Sequence, residues 1–242
     1  MRNQLLRNRS LLRTLALLAV PVLFAACNGG GEGFPEPNVL TAFDPADFSG
    51  GPVNNPLYPL TPGTMYVYEG DTADGLERVE VEVTANTKTI LGVVCVEVRD
   101  REFLDGELIE DTLDWFAQDA DGNVWYFGED TKQIEGGVVV STEGSWEAGV
   151  AGAEPGIIML GAPAAGQVYM QENAPGIAED RAQVVALNVS ETTPLATYNG
   201  CILTEDFNPL DPEVEEKFYA PGVGLILEVT EDDERIELIS YP

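Results

Sequence analysis

The chain has no histidine and only three cysteines in 242 residues. Without an imidazole, a Ser-His-Asp triad, a Cys-His pair and every histidine-based zinc or copper site are excluded. Basic residues are scarce as well: 12 lysines and arginines stand against 42 aspartates and glutamates. That surface repels a phosphate backbone, and no Lys/Arg cluster offsets it, so no nucleic-acid partner is expected. Solubility in high salt and cation binding are the readings left for so much negative charge. Nucleotide, haem and nucleophile motifs are also missing, and no long segment repeats its apolar residues at the helical period.

The first 26 residues differ from the rest. Arg2, Arg7, Arg9 and Arg13 give a basic start with no acid, and Leu15 to Ala26 is an unbroken apolar run. A run of about a dozen residues suits a signal segment and falls short of the roughly 20 that span a bilayer as a helix. It ends at Leu23-Phe-Ala-Ala-Cys27, which resembles the lipobox of bacterial lipoproteins, with Phe24 where an aliphatic residue is usual. The resemblance implies cleavage before Cys27, lipidation of that cysteine and anchoring on the extracytoplasmic side of a membrane. Asn28 at the next position implies the outer membrane in a Gram-negative cell. Asn28-Gly-Gly-Gly-Glu-Gly-Phe-Pro-Glu-Pro37 is too rich in Gly and Pro to pack a core, so residues 27–54 read as a flexible tether. Removing the leader arginines leaves 8 basic residues against the same 42 acids.

From residue 55 to 242 the pattern is strand after strand. Arg78-Val-Glu-Val-Glu-Val-Thr84, Val93 to Val98, Asn123 to Phe127, Ala182 to Leu187 and Gly224 to Thr230 alternate or run apolar between Gly, Asp and Asn turns. The expected class is all-β and antiparallel, with short helices at most near Pro45–Phe48 or Ser145–Gly149. Gly63-Thr-Met-Tyr66-Val-Tyr-Glu69 and Gly166-Gln-Val-Tyr169-Met-Gln-Glu172 share spacing, and Phe116-Ala117 and Tyr219-Ala220 follow each glycine at the same interval. The chain thus reads as two similar meanders, about 60–140 and 163–240, packed into one barrel or curved sandwich. Cys95 and Cys201 take matched places; a disulfide and two separately buried thiols are both open in an oxidising compartment. Between the halves, Gly144 to Gly161 carries Trp146, Ile157, Ile158 and Met159, as a core plug or a lid.

The most distinctive stretch is Asp114-Trp-Phe-Ala-Gln-Asp119-Ala-Asp121-Gly-Asn123-Val-Trp-Tyr-Phe-Gly-Glu129-Asp130. It resembles a family of uncharacterised bacterial secreted proteins and lipoproteins that carry the same run. The likeness extends from Asn55 to the C-terminus, through Ser141 to Gly149 and Tyr219 to Gly224, and it implies a coherent domain without implying a chemistry. Asp119, Asp121 and Asn123 place side-chain oxygens at alternate positions around a glycine, which fits a calcium loop or a hairpin turn. Asp130 stands where an EF-hand would have its glutamate. Asp114, Glu129 and Asp130 beside aromatics raise glycoside hydrolysis by paired carboxyls. The main expectation is a non-enzymatic envelope lipoprotein that binds a small ligand or an envelope protein, or acts structurally, with Trp115, Trp125 and Trp146 as candidate ligand-facing aromatics.

Overall fold

The computed structural model describes residues 34–39 and 41–242. The leader and Cys27 lie outside the described residues. Among the described residues, fifteen strands follow a single 3-10 turn at Pro45–Asp47, which is capped by the Asp44 carboxylate accepting from the Ala46 N–H. They are β1 (Met65–Thr72), β2 (Gly75–Ile90), β3 (Val93–Leu104), β4 (Glu107–Gln118), β5 (Val124–Asp130), β6 (Gln133–Glu135), β7 (Val138–Ser141), β8 (Trp146–Glu147), β9 (Gly156–Met159), β10 (Val168–Met170), β11 (Arg181–Thr192), β12 (Thr197–Asn208), β13 (Asp211–Ala220), β14 (Gly224–Val229) and β15 (Arg235–Ser240). The second helix site, near Ser145–Gly149, is instead the short strand β8 and a turn.

All the strands belong to one antiparallel sheet, ordered β10-β11-β12-β13-β14-β15-β1-β2-β3-β4-β5, with β8 and β9 on the far side of β5. Among the described residues no ladder joins β10 back to β9, so the sheet is open rather than a closed barrel. It is nevertheless rolled, because its two ends meet. Glu154 and Asn173 form an isolated bridge, and Gly156 lies so close to the Gln171 carbonyl that a Cβ there would collide with it. Only a residue without a side chain permits that approach.

The two meanders match in register as well as in order. The Gly63 N–H donates to the Val83 carbonyl at 2.8 Å, and the Gly166 N–H donates to Val184 at 2.7 Å. Val83 faces Val98 and Val184 faces Thr204. Val96 faces Phe116 and Ile202 faces Tyr219. Gly63 and Gly166 both hold a positive φ, 89° and 85°, that a side chain would strain.

One apolar core fills the roll, with Val79, Val83, Phe116, Tyr126, Phe127, Ile226 and Leu238 at its centre. The stretch between the halves is a plug: Ile157, Ile158, Met159 and Leu160 are all buried. The tether is shorter than its composition implies. From Phe34 onward the chain docks: Phe34 stacks on Phe207, Asn38 bonds to Val168 in both directions, and Phe43 and Phe48 pack edge-on against Trp125 and Phe127. The aromatic residues in a Gly/Pro-rich segment supply the burial that its backbone lacks. Cys95 and Cys201 are free and buried, the second of the two readings left open for them. They sit on β3 and β12, with five strands between them in the sheet.

Candidate functional site

Alternation along a strand sends every second side chain to one face. In Val98-Arg-Asp-Arg-Glu102 the arginines take the outer face: Arg99 forks onto Asp111 through two bonds of 2.7 Å, and Arg101 meets Glu80 at 3.0 Å. Asp100 and Glu102 therefore point inward, and they are 2% and 1% exposed. The same phase of β4 buries Glu110, Thr112 and Asp114, and β5 adds Glu129. The second half buries Asp206, Glu215, Lys217 and Glu228. The two sets face a common interior, since the Tyr58 hydroxyl feels Asp114 and Asp100 from one half and Lys217 from the other.

Carboxyls this deep resist ionisation, because a low-dielectric interior penalises charge and like charges repel. Burial pushes Asp100 well above the ordinary carboxylate range, and Glu110, Glu228, Glu129 and Glu77 push it further. Asp114 is raised by burial and then by Asp100, against a hydrogen bond from Tyr126. The Tyr126 hydroxyl lies 2.5 Å from Asp114 Oδ1 and 2.8 Å from Glu129 Oε2. A hydroxyl has one proton to give, so both contacts are hydrogen bonds only when one carboxyl carries a proton of its own. In the second half Lys217 Nζ reaches Glu215 at 3.4 Å, Asp206 at 3.5 Å and Glu228 at 3.7 Å. Near it, Asp180 accepts from Asn208 at 3.0 Å and is pushed up to about 6, mainly by burial. Glu172 is raised by burial and by Asp180.

Where the ends of the sheet meet, a cleft of about 840 Å³ opens between the docked N-terminal segment, the 149–157 loop and β10. Phe43, Trp125, Ile157, Tyr169 and Met170 give it apolar surface, and Asn173 adds a polar end. Tyr169 links the cleft to the charged interior, since its hydroxyl lies in the field of Asp206 and Lys217.

The three tryptophans expected to face a ligand have separate fates. Trp125 lines the cleft. Trp146 points inward, donating to Glu172 Oε1 at 3.2 Å and meeting Tyr126 edge-on. Trp115 lies under the Lys88 ammonium, 3.3 Å from its ring centroid, and Lys88 pairs with Glu147 on the surface. The calcium triad is organised as a turn. Asp119 Oδ1 accepts from the N–H groups of Asp121 and Asn123, and Oδ2 from Asn123 Nδ2 and Trp125 Nε1, at 2.7 to 3.0 Å. Asn123 Oδ1 accepts from the Gly161 N–H at 2.9 Å. These oxygens thus point at donors, and among the described residues no three acids or cysteines are arranged to hold a metal. Asp114 and Glu129, the carboxyls raised for glycoside hydrolysis, are 0% and 3% exposed and out of reach of a polymer, while Asp130 pairs outward with Lys132.

Sequence reasoning missed Asp100, Tyr169 and Lys217. The signal for Asp100 was the strand segment Val98–Glu102, where both phases are charged: with the arginines outside, the acids have only the interior to occupy.

No protein-family model matches the chain, and no curated protein matches it in sequence. Two solved structures are similar in shape. One is a protein of Bacteroides fragilis NCTC 9343 regarded as exported, with a YmcC-like fold, at 13% identity and a TM-score of 0.45. The other is a protein of Parabacteroides distasonis ATCC 8503 regarded as a lipoprotein, at 13% identity and a TM-score of 0.42. Each match covers 77% of this chain and 98% of the other.

Proposed function

We propose that the chain is an envelope-anchored lipoprotein whose β domain is a non-enzymatic binding module, and that the cleft at the sheet ends takes a small ligand with an apolar body. The cleft carries this reading. Its volume of about 840 Å³ falls within the roughly 300–1,000 Å³ of small-molecule sites. Aromatic and aliphatic walls joined by Thr41, Glu154 and Asn173 suit an apolar body and a polar end. The anchor supports it too. Pro37 lines the cleft, and the residues from Cys27 to Pro37 reach at most about 36 Å when fully extended. A ligand drawn from the bilayer would therefore meet the cleft close to the membrane surface.

The test uses Nile red, an uncharged apolar dye that the acidic surface does not repel. Saturable binding to the purified protein is expected, and Met170→Asp, which puts a charge in the half-buried wall, abolishes it without changing the circular dichroism. Binding that never saturates, or that survives Met170→Asp unchanged, overturns the cleft as the seat. Incorporation of an alkynyl palmitate into the full chain, lost in Cys27→Ser, tests the anchor separately.

A further inference from the structure

The two halves neutralise the same buried acid differently. Matched register places Asp100 with Asp206, Val98 with Thr204, and Asp114 with Lys217. Tyr68, which faces Val79, takes the place of Gln171, whose N–H reaches the Asp180 carbonyl. Asp206 is well served: Thr204 donates to it at 2.7 Å, Gln171 at 3.1 Å, and the Lys217 ammonium stands 3.5 Å away. Around Asp100 the corresponding groups are a hydrocarbon, a phenol and a second acid. The phenol, Tyr68, gives its proton to the Leu225 carbonyl at 3.1 Å. Both Asp100 oxygens are buried without a hydrogen-bond partner among the described residues, as is Asp114 Oδ2.

Asp100 also borders a space, with its oxygens just beneath the wall. It lines a pocket of about 50 Å³ together with Tyr58, Tyr66, Tyr68 and Tyr219. That is several times the roughly 10–15 Å³ that admits one water, so a head group of a few atoms fits. The Tyr66 hydroxyl donates to the Pro59 carbonyl at 3.2 Å, so Tyr66, like Tyr68, has its donor engaged elsewhere. An unsatisfied acid in an aromatic-walled pocket suits a cation that can also donate hydrogen bonds, the acid giving up its own proton to solvent as the cation takes its place. A hard metal ion wants six or more oxygens, and among the described residues no acidic trio is arranged for one.

We propose that this pocket binds a small organic ammonium, a primary alkylamine or the amine end of a larger molecule, seated on Asp100 as Lys217 is seated beside Asp206. The site is separate from the cleft and stands whether or not the cleft binds a ligand.

The probe is n-butylammonium, which reproduces the lysine side chain, with 1-butanol and sodium chloride as matched controls. Calorimetry on the purified protein is expected to give saturable heat for n-butylammonium and none for the controls. Asp100→Asn weakens binding by about tenfold or more, the worth of a charge-assisted bond. Asp114→Lys transplants the second half's solution and leaves the folded protein indifferent to the amine. Absence of saturable heat, equal heat from butanol or salt, or undiminished binding by folded Asp100→Asn overturns the proposal. The butanol and salt comparisons need no variant, so they decide the matter even if both substitutions misfold.

Discussion

Raising the pH should weaken this protein well before any alkaline chemistry begins. Asp100, Asp114 and Glu172 are held above the ordinary carboxylate range chiefly by burial, each reinforced by neighbouring acids, and Asp180 is pushed to about 6. A carboxyl whose folded value exceeds its unfolded one binds its proton more tightly in the folded chain. Its contribution is complete below the unfolded value and is lost as the pH rises through the folded one. For Asp180, the interval from 3.8 to about 6 corresponds to about 3 kcal/mol. The other three add to the loss as the pH rises through their own folded values, which burial and neighbouring acids hold above the ordinary one. Asp111, lowered by its fork to Arg99, acts oppositely, but only at pH below its ordinary value of 3.8. Lys217 is raised by its acid partners, against the lowering effect of burial, and keeps its contribution throughout this range. Urea unfolding followed by the fluorescence of the buried Trp115, Trp125 and Trp146 should therefore give the highest stability near about pH 4 to 5, with a loss of at least about 3 kcal/mol by about pH 8. Asp100→Asn should flatten the slope, since its amide cannot ionise. A stability that rises steadily from about pH 4.5 to about pH 8 would refute the placement of neutral acids inside the roll.

Three further outcomes are expected. Lys217→Met removes the cation between Asp206, Glu215 and Glu228 and should cost about 3–5 kcal/mol by urea unfolding at neutral pH, with a smaller loss in mild acid, where Asp206, raised by burial, takes a proton. Asp119→Ala abolishes four hydrogen bonds around the 119–123 turn and should cost about 2–3 kcal/mol, whereas Asp121→Ala, at an exposed position, should stay within about 0.5 kcal/mol. Cys95 and Cys201 should resist a thiol reagent in the native state and both react after unfolding without reductant, because burial pushes Cys95 up to about 12 and raises Cys201 as well.

Alternation at period 2, the turn glycines and the paired Gly-x-x-Tyr-x-x-Glu segments carried the fold class and the two meanders, because strand formation depends on neighbours two residues apart and on local turn chemistry. Gly63 and Gly166 were legible for that reason: each needs a positive φ at the same step. The absence of histidine excluded imidazole chemistry without any structure. The tertiary arrangement decided the rest. Whether the sheet closes depends on how far it twists before its ends meet at Gly156 and Gln171, a sum over all its strands. Aromatic residues in the supposed tether dock only because Trp125 and Phe127 are waiting for them. The chain's excess of acid read as a solvated surface, since composition cannot tell which phase of a strand faces inward. Only the packed sheet shows that Arg99 and Arg101 take the outside, that Asp100 is thereby forced in, and that of two matched acids one has a lysine while the other borders a pocket.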